Sequence, residues 1–241
     1  MPRHMGAAFR HGDSLHFLDI NRNKASVTLD LKSAVGVEQL HALLETADIL
    51  IHNTRPGVVD ALGIDGPSVC ARHPRLIYCE ISGFGNRGPM RMLPAFEPVA
   101  QAFSGILSIN GNPDGPPARI GVSVVDVGTA MWTVIGALAA LQHRNITGKG
   151  GVVNTSLLET ALAWAGPHIA GFLNEDRVPR RLGTAHPHLV LYQTFDANDG
   201  ALPIAAGNDR LFARLCGCAR RAGMDRRSAV LWQSRPHRTP R

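Results

Sequence analysis

Cysteine is scarce: Cys70, Cys79, Cys216 and Cys218 are the only four in 241 residues, and their spacing shows no paired framework. That excludes a disulfide-scaffolded secreted domain and fits a reducing compartment. Cys216 and Cys218 form a lone CxC without a second ligand pair nearby, so no metal site is expected. Charged residues make up only 18% of the chain and hydrophobic ones 44%, which excludes a disordered polymer. A long uncharged apolar run is missing too. The longest candidate, Val124 to Leu141, contains Asp126 and leaves fifteen uncharged residues from Val127, short of the ~20 that cross a bilayer. It reads as a buried core helix. The N-terminus, MPRHMGAAFRHGDSL, has no apolar signal core, so a cytoplasmic protein is expected. There is no internal repeat and no low-complexity tract.

The formal net charge of +6 first suggests a nucleic-acid partner. Its distribution argues otherwise. Nine arginines and a single acid, Asp225, lie between Arg210 and Arg241, so that stretch carries +8 and the remainder −2. The body is nearly neutral, and neither nucleic acid nor membrane is expected as a partner.

Along the chain, Leu15–Ile20 and Ser26–Leu31 read as two strands around the turn NRNK. Ser33–Ala47 has helical spacing, DILIHN is a short buried strand, Val58–Leu62 a short helix, and Arg75–Ser82 another buried strand. Alternating helices and wholly apolar strands predict a Rossmann-like parallel sheet with helices on both faces, an α/β domain. Phe96–Ile109 has helical character between two turn-rich stretches. Long helices are expected over Val124–His143 and Thr155–Asn174, with a short strand around Val152 and Val153. LVLYQTF and ALPIAAG then form a hairpin across Asp196–Gly200, part of a smaller α+β unit. The expected organisation is 1–175 for the large domain, 176–215 for part of a small one, and 216–241 for a basic, disordered tail.

Two motifs carry competing readings. Gly83-Phe84-Gly85-Asn86-Arg87-Gly88 matches GxGxxG after a strand, but Pro89 and MRMLP follow where a dinucleotide site needs a helix. It reads as a turn-rich loop at the mouth of the sheet. Asp126 enters the apolar helix third in line after Ser123, the spacing of a capping box. A carboxylate held there is also favoured in its ionised form and could act as a nucleophile toward an activated acyl group. Capping and catalysis both remain open from spacing alone.

The runs FLDINRNKASVTLDLKS, ADILIHNTRPGVVDALGID, LIYCEISGFGNRGP, PAFEPVAQAFSGI and VVDVGTAMWTVIGALAALQHRNITGKGGVV resemble the class III CoA-transferase family (CaiB/BaiF), densely from about Phe17 to Asn208. The resemblance implies that Asp126 is the nucleophile. It implies transfer of CoA from an acyl-CoA thioester to a carboxylic acid through a mixed anhydride and an aspartyl-CoA thioester. Contacts to CoA map onto Asn21, Arg22, Asn23 and Lys24, onto Asn53, Thr54 and Arg55, and onto Phe96 and Glu97. Arg22, Lys24 and Arg55 suit nucleotide phosphates, although each also reads as a solvated loop charge. CoA enters as a substrate moiety with no permanently bound cofactor, and a homodimer is implied.

The racemase branch of the family, which epimerises 2-methylacyl-CoA thioesters, is the alternative. Its histidine would fall at Phe96, which cannot exchange a proton. His52, His186 and His188 read as surface or loop histidines before they read as bases. Where the family often has a basic residue this chain has Ala61, and the Gly-rich lid of some transferases has no counterpart in GTAHPHLVLYQTF. The chain also starts after the family's usual first strand-helix unit, and the resemblance stops beyond GNDRLFARLCG. A piece truncated at both ends, with weak or no activity as a family remnant, is therefore a further expectation.

Overall fold

Parallel strands cannot be joined by tight turns, so a parallel sheet is built around helical crossovers. The computed structural model describes residues 3, 6 and 8–218. Two short antiparallel strands, β1 (Phe9–Arg10) and β2 (Asp13–Ser14), open the chain and lead into α1 (Leu15–Ile20). A strand was expected over Leu15–Ile20, and its partner over Ser26–Leu31 has no regular structure. The reason is a cap: Ser14 Oγ accepts the Phe17 amide at 3.1 Å, and this sets a helical first turn that six residues of apolar pattern cannot reveal.

The Ser33-capped α2 (Ala34–Leu44) runs into β3 (Ile49–His52), as its spacing predicts. Next come α3 (Val58–Ala61) and α4 (Gly66–Arg72), then β4 (Ile77–Ser82). Helix α4 has no counterpart among the expected elements, although Asp65 caps it through the Ser68 amide and Pro67 lies in its first turn. The Phe96–Ile109 stretch becomes α5 (Glu97–Phe103) and α6 (Ile106–Ile109), parted at Gly105, whose φ of +84° admits few other residues. The long helix α7 (Val124–Thr147) follows, and β5 (Gly151–Ser156) completes a three-stranded parallel sheet of order β3-β4-β5, with Ile49 opposite Ile77 and Ile77 opposite Gly151.

Strand alternation gives this sheet two buried faces. Tyr78 and Leu50 pack with Leu44, Val59, Ile64 and Val69 from α2 to α4 and the turns between them. Ile77, Cys79, Ile49 and Val153 pack with Ala137, Ala140 and Leu141 of α7 on the other side. This is the α/β architecture read from the sequence, with helices on both faces.

The single helix expected over Thr155–Asn174 is three elements. Its first two residues end β5, and α8 (Leu157–Trp164) and α9 (Gly166–Glu175) are separated at Ala165, where Pro167 cannot continue the preceding hydrogen-bond ladder. The hairpin β6 (Tyr192–Ala197) and β7 (Gly200–Ala205) pairs antiparallel as expected, and α10 (Asp209–Cys218) extends into the stretch assigned to a disordered tail, with Cys216 buried. The rest of that stretch, 219–241, lies outside the described residues.

Helix α7 is also less enclosed than its composition suggests. Val125, Gly128, Thr129, Thr133, Ala137 and Arg144 are buried, whereas Val127, Met131, Trp132, Val134, Ile135 and Leu138 are exposed. By length and composition it could span a membrane, but its inner face is already committed. Thr129 Oγ1 bonds Thr160 Oγ1 at 2.9 Å, and Thr133 Oγ1 bonds Thr155 Oγ1 at 2.7 Å. At Gly128 a Cβ would come within 2.3 Å of the Trp164 ring, so only glycine allows α7 and α8 to approach this closely. At the far end Arg144 reaches across to Asp48 and to the carbonyl of Arg75.

Candidate active site

These contacts fix the direction of α7. Its C-terminal turn meets Asp48 and Arg75, which precede β3 and β4, and its N-terminal turns meet Thr155 and Thr160 at and beyond the end of β5. The helix therefore runs antiparallel to the strands, and its first turn lies at the carboxyl end of the sheet, where open α/β sheets receive ligands. The loops that follow β3 and β4, residues 53–57 and 83–95, leave from the same end.

Asp126 sits third in α7. The capping box expected with Ser123 does not form: the Ser123 side chain makes no cap bond, and no described residue hydrogen-bonds the Asp126 carboxylate. Ser123 has ψ of 63° rather than the extended value of a side-chain cap, and its carbonyl takes the Val127 amide at 3.0 Å. The aspartate is thus exposed and uncommitted at a helix N-terminus. Although it faces solvent, its carboxyl is pushed above the ordinary carboxylate range, mainly by partial desolvation and then by Glu97, while Arg119 pulls it back.

Glu97 begins α5 and is only 4% exposed. Gln101, one turn on, donates Nε2 to Glu97 Oε1 at 2.5 Å, and its own Oε1 accepts the Ile120 amide at 3.1 Å. Arg119 Nε approaches Glu97 Oε2 at 3.5 Å. Neither Arg119 nor Gln101 was singled out from the sequence. The available signal was that Arg119 is the only basic residue between Glu97 and Asp126. Phe96, next to Glu97, is 80% exposed, a bare ring at the helix entrance.

The loop after β3 presents Asn53, Thr54 and Arg55, all exposed. Thr54 Oγ1 bonds His52 Nδ1 at 2.9 Å, and burial holds the His52 imidazole below its ordinary pKa. No described residue hydrogen-bonds the Arg55 side chain. After β4, Gly85 donates its amide to Ser82 Oγ, and the Gly83 carbonyl takes the Leu158 amide, so the glycine-rich loop folds back on the start of α8 with no helix inside it. That matches its reading as a turn-rich loop.

The NRNK turn is placed differently. Asn21 closes α1, Asn23 takes a left-handed φ of 63°, and Lys24 Nζ donates to the Ile20 carbonyl at 2.8 Å and to Asn21 Oδ1 at 3.3 Å. Arg22 is exposed. These contacts are local, and none among the described residues joins Asn21–Lys24 to Asp126. His186 and His188 lie on the exposed loop before β6, linked by the His188 amide to His186 Nδ1 at 3.1 Å. A separate open pocket of about 510 Å³, lined by His168, Asp176, Arg177 and Arg180 among others, contains none of the candidate residues. Among the described residues no group of three or more His, Cys, Asp or Glu could hold a metal ion.

The profile of CoA-transferase family III matches residues 1–237, extending past both ends of the Phe17–Asn208 resemblance. An acetyl-CoA:oxalate CoA-transferase of Acetobacter aceti is 37% identical over 204 residues, 84% of this chain and 52% of that protein. A succinyl-CoA:glutarate CoA-transferase of Mus musculus is 35% identical over 214 residues, 89% of this chain and 49% of that protein. Among solved structures, a CAIB/BAIF family protein from Brucella suis superposes with a TM-score of 0.79 at 33% identity, covering 91% of this chain and 59% of that one. A hypothetical protein (Rv3272) from Mycobacterium tuberculosis does so with 0.73 at 28%, covering 83% and 53%. The chain spans about half the length of the curated relatives it matches.

Proposed function

Because the chain belongs to CoA-transferase family III, we propose that it serves the transfer of CoA from an acyl-CoA thioester to a carboxylic acid, with Asp126 as the nucleophile. The observation that carries this reading is the state of Asp126: a carboxylate at the carboxyl end of a parallel sheet, on a helix N-terminus, with no capping bond to hold it back. A carboxylate of raised basicity is also the better nucleophile as long as it stays ionised.

In the proposed sequence, an Asp126 oxygen attacks the thioester carbonyl and the C–S bond breaks, leaving a mixed anhydride and CoA thiolate. The thiolate attacks the aspartyl carbonyl, the donor acid departs as carboxylate, and an aspartyl-CoA thioester remains. The acceptor carboxylate attacks that thioester, releases the thiolate and forms a second anhydride. Attack of the thiolate on the acceptor's carbonyl then yields the new thioester and restores Asp126. No water is consumed, so the thioester's free energy is retained.

Arg55 at the sheet's carboxyl end and Arg22 on the NRNK turn are suited to the nucleotide phosphates of CoA, and Phe96 offers an apolar contact. The oxalate and glutarate named for relatives make small dicarboxylates the acceptors to try first. The bare apolar stripe of α7, from Val127 to Leu138, is the surface we assign to a second copy in a homodimer. The reading is tested by incubating the chain with succinyl-CoA and isotope-labelled glutarate or oxalate. Label entering the CoA thioester pool, and its loss in Asp126→Asn, supports it. Equal exchange by Asp126→Asn refutes the nucleophile.

A further inference from the structure

Exchange through a carboxylate nucleophile concentrates negative charge. One negative charge passes in turn between Asp126, the CoA thiolate and a carboxylate within one place, and here the buried Glu97 adds a second, close enough to act on Asp126. Like charges held together repel unless a cation offsets them. Arg119 is the one described cation whose charge acts on Asp126, and the structure holds it with some care. The Ala118 amide and carbonyl are tied to Asn110 at 3.0 and 2.8 Å, and the Ile120 amide is tied to Gln101 at 3.1 Å, so the backbone is fixed on both sides of the arginine. Ile120 packs into the cluster that holds Val124 and Val125, which locks the same segment to the first turn of α7. The side chain is half exposed. Its Nε faces Glu97 Oε2 at 3.5 Å, and its two Nη groups donate to no described residue.

We propose that Arg119 is a positioning residue for the exchange reaction: pinned by the Glu97–Gln101 pair beside the start of α7, it balances Glu97 against the negative charge that comes and goes at Asp126 and leaves its outer N–H edge to the acceptor's carboxylate. Glu97 then acts as the anchor for Arg119, a role its burial suits better than direct contact with anionic CoA. Glu97 from α5 and Arg119 from the segment before α7 face each other, and the charges of both act on Asp126 of α7. The inference rests on the reading of Asp126 as nucleophile.

The test is a titration of the Asp126 carboxyl by carbon NMR on protein labelled at aspartate, the resonance being the one lost in Asp126→Asn. This readout needs no turnover. Arg119→Gln should move the midpoint up, Glu97→Gln should move it down, and Arg119→Lys should keep it near the parent value. Where exchange is measurable, the acid limb of its pH profile should move with the midpoint, each pH unit being a tenfold change below the limb, and Arg119→Gln should raise KM for the acceptor more than for acyl-CoA. Unchanged midpoints in both Gln variants, with thermal melting as in the parent, overturn the proposal. If those midpoints move as stated while Asp126→Asn still exchanges, the electrostatic pairing stands and the nucleophile assignment falls.

Discussion

Arg144→Met removes the clamp that orients the distal end of α7. The guanidinium is 9% exposed, its Nη2 meets Asp48 Oδ1 at 2.7 Å, and its Nη1 donates to the Arg75 carbonyl at 3.0 Å. A fully buried pair broken on one side costs roughly 3–5 kcal/mol because the surviving charge is stranded. Asp48 is 73% exposed and rehydrates when its partner leaves, so that penalty does not apply in full. What is lost is one charge-assisted bond, the bond to the Arg75 carbonyl and a longer one of 3.4 Å to the Asp48 carbonyl, about 2–3 kcal/mol together, part of it offset by the methionine's apolar fill. For a chain of this size each kcal/mol lowers Tm by about 2–4 °C, so a fall of about 4–10 °C is expected. Urea unfolding followed by circular dichroism gives the free energy directly. Asp48→Asn leaves the buried guanidinium without a counter-charge but keeps its bonds to the carbonyls of Arg75 and of residue 48 and offers it an amide oxygen, so a loss of roughly 1–2 kcal/mol is expected. A loss below about 0.5 kcal/mol for Arg144→Met would refute the clamp.

Gly128→Ala sets two effects against each other: alanine gains about 1 kcal/mol in helix propensity, but its Cβ would lie 2.3 Å from the Trp164 ring. Overpacking of this kind costs roughly 1–3 kcal/mol, so a net loss near 1 kcal/mol is expected by urea titration, and Trp164→Ala in the same chain should turn the alanine into a gain. His41 and His73 share a ring-nitrogen contact of 3.0 Å, and burial, with Arg72 next, lowers the pKa of His41. A depressed folded pKa means that the unfolded chain binds the proton more readily, so this stabilisation is complete above the ordinary histidine pKa of about 6.5 and is lost as pH falls through the lower folded value. Urea midpoints at neutral pH and on the acid side of that value should differ more in the parent than in His41→Gln; equal differences would contradict the coupling.

Much of the fold is legible because its signals are local and repeated. LIYCEIS is apolar enough to predict burial on both faces, and the central strand indeed covers Tyr78 on one side and Ile77 and Cys79 on the other; DILIH, expected to be buried as well, forms the edge strand β3, whose residues are only partly covered and whose Ile51 is exposed. Short segments were harder. Leu15–Ile20 carries six residues of ambiguous pattern, and what decides it is the Ser14 cap rather than any period. At Asp126 the spacing of a capping box was present, yet the backbone at Ser123 turns the hydroxyl away from the helix amides. The candidate site was half visible: Asp126 and the loop after β3 come from the family resemblance, whereas the pairing of Arg119 with Glu97 arises only through folding, which carries the segment before α7 back onto Glu97 and Gln101 of α5. The bare stripe on α7 was invisible for a related reason, since composition reports how apolar a helix is and not how many of its faces find a partner.

The proposed exchange of CoA requires a covalent bond at Asp126. Incubation with succinyl-CoA followed by hydroxylamine should convert an activated aspartyl group into its hydroxamate, and peptide mass spectrometry should find that mass at Asp126 in the parent and nowhere in Asp126→Asn. The substitution should leave the melting transition within about 0.5 kcal/mol of the parent, because no capping bond is lost. A folded parent chain that consumes acyl-CoA and yields no hydroxamate at Asp126 would contradict it.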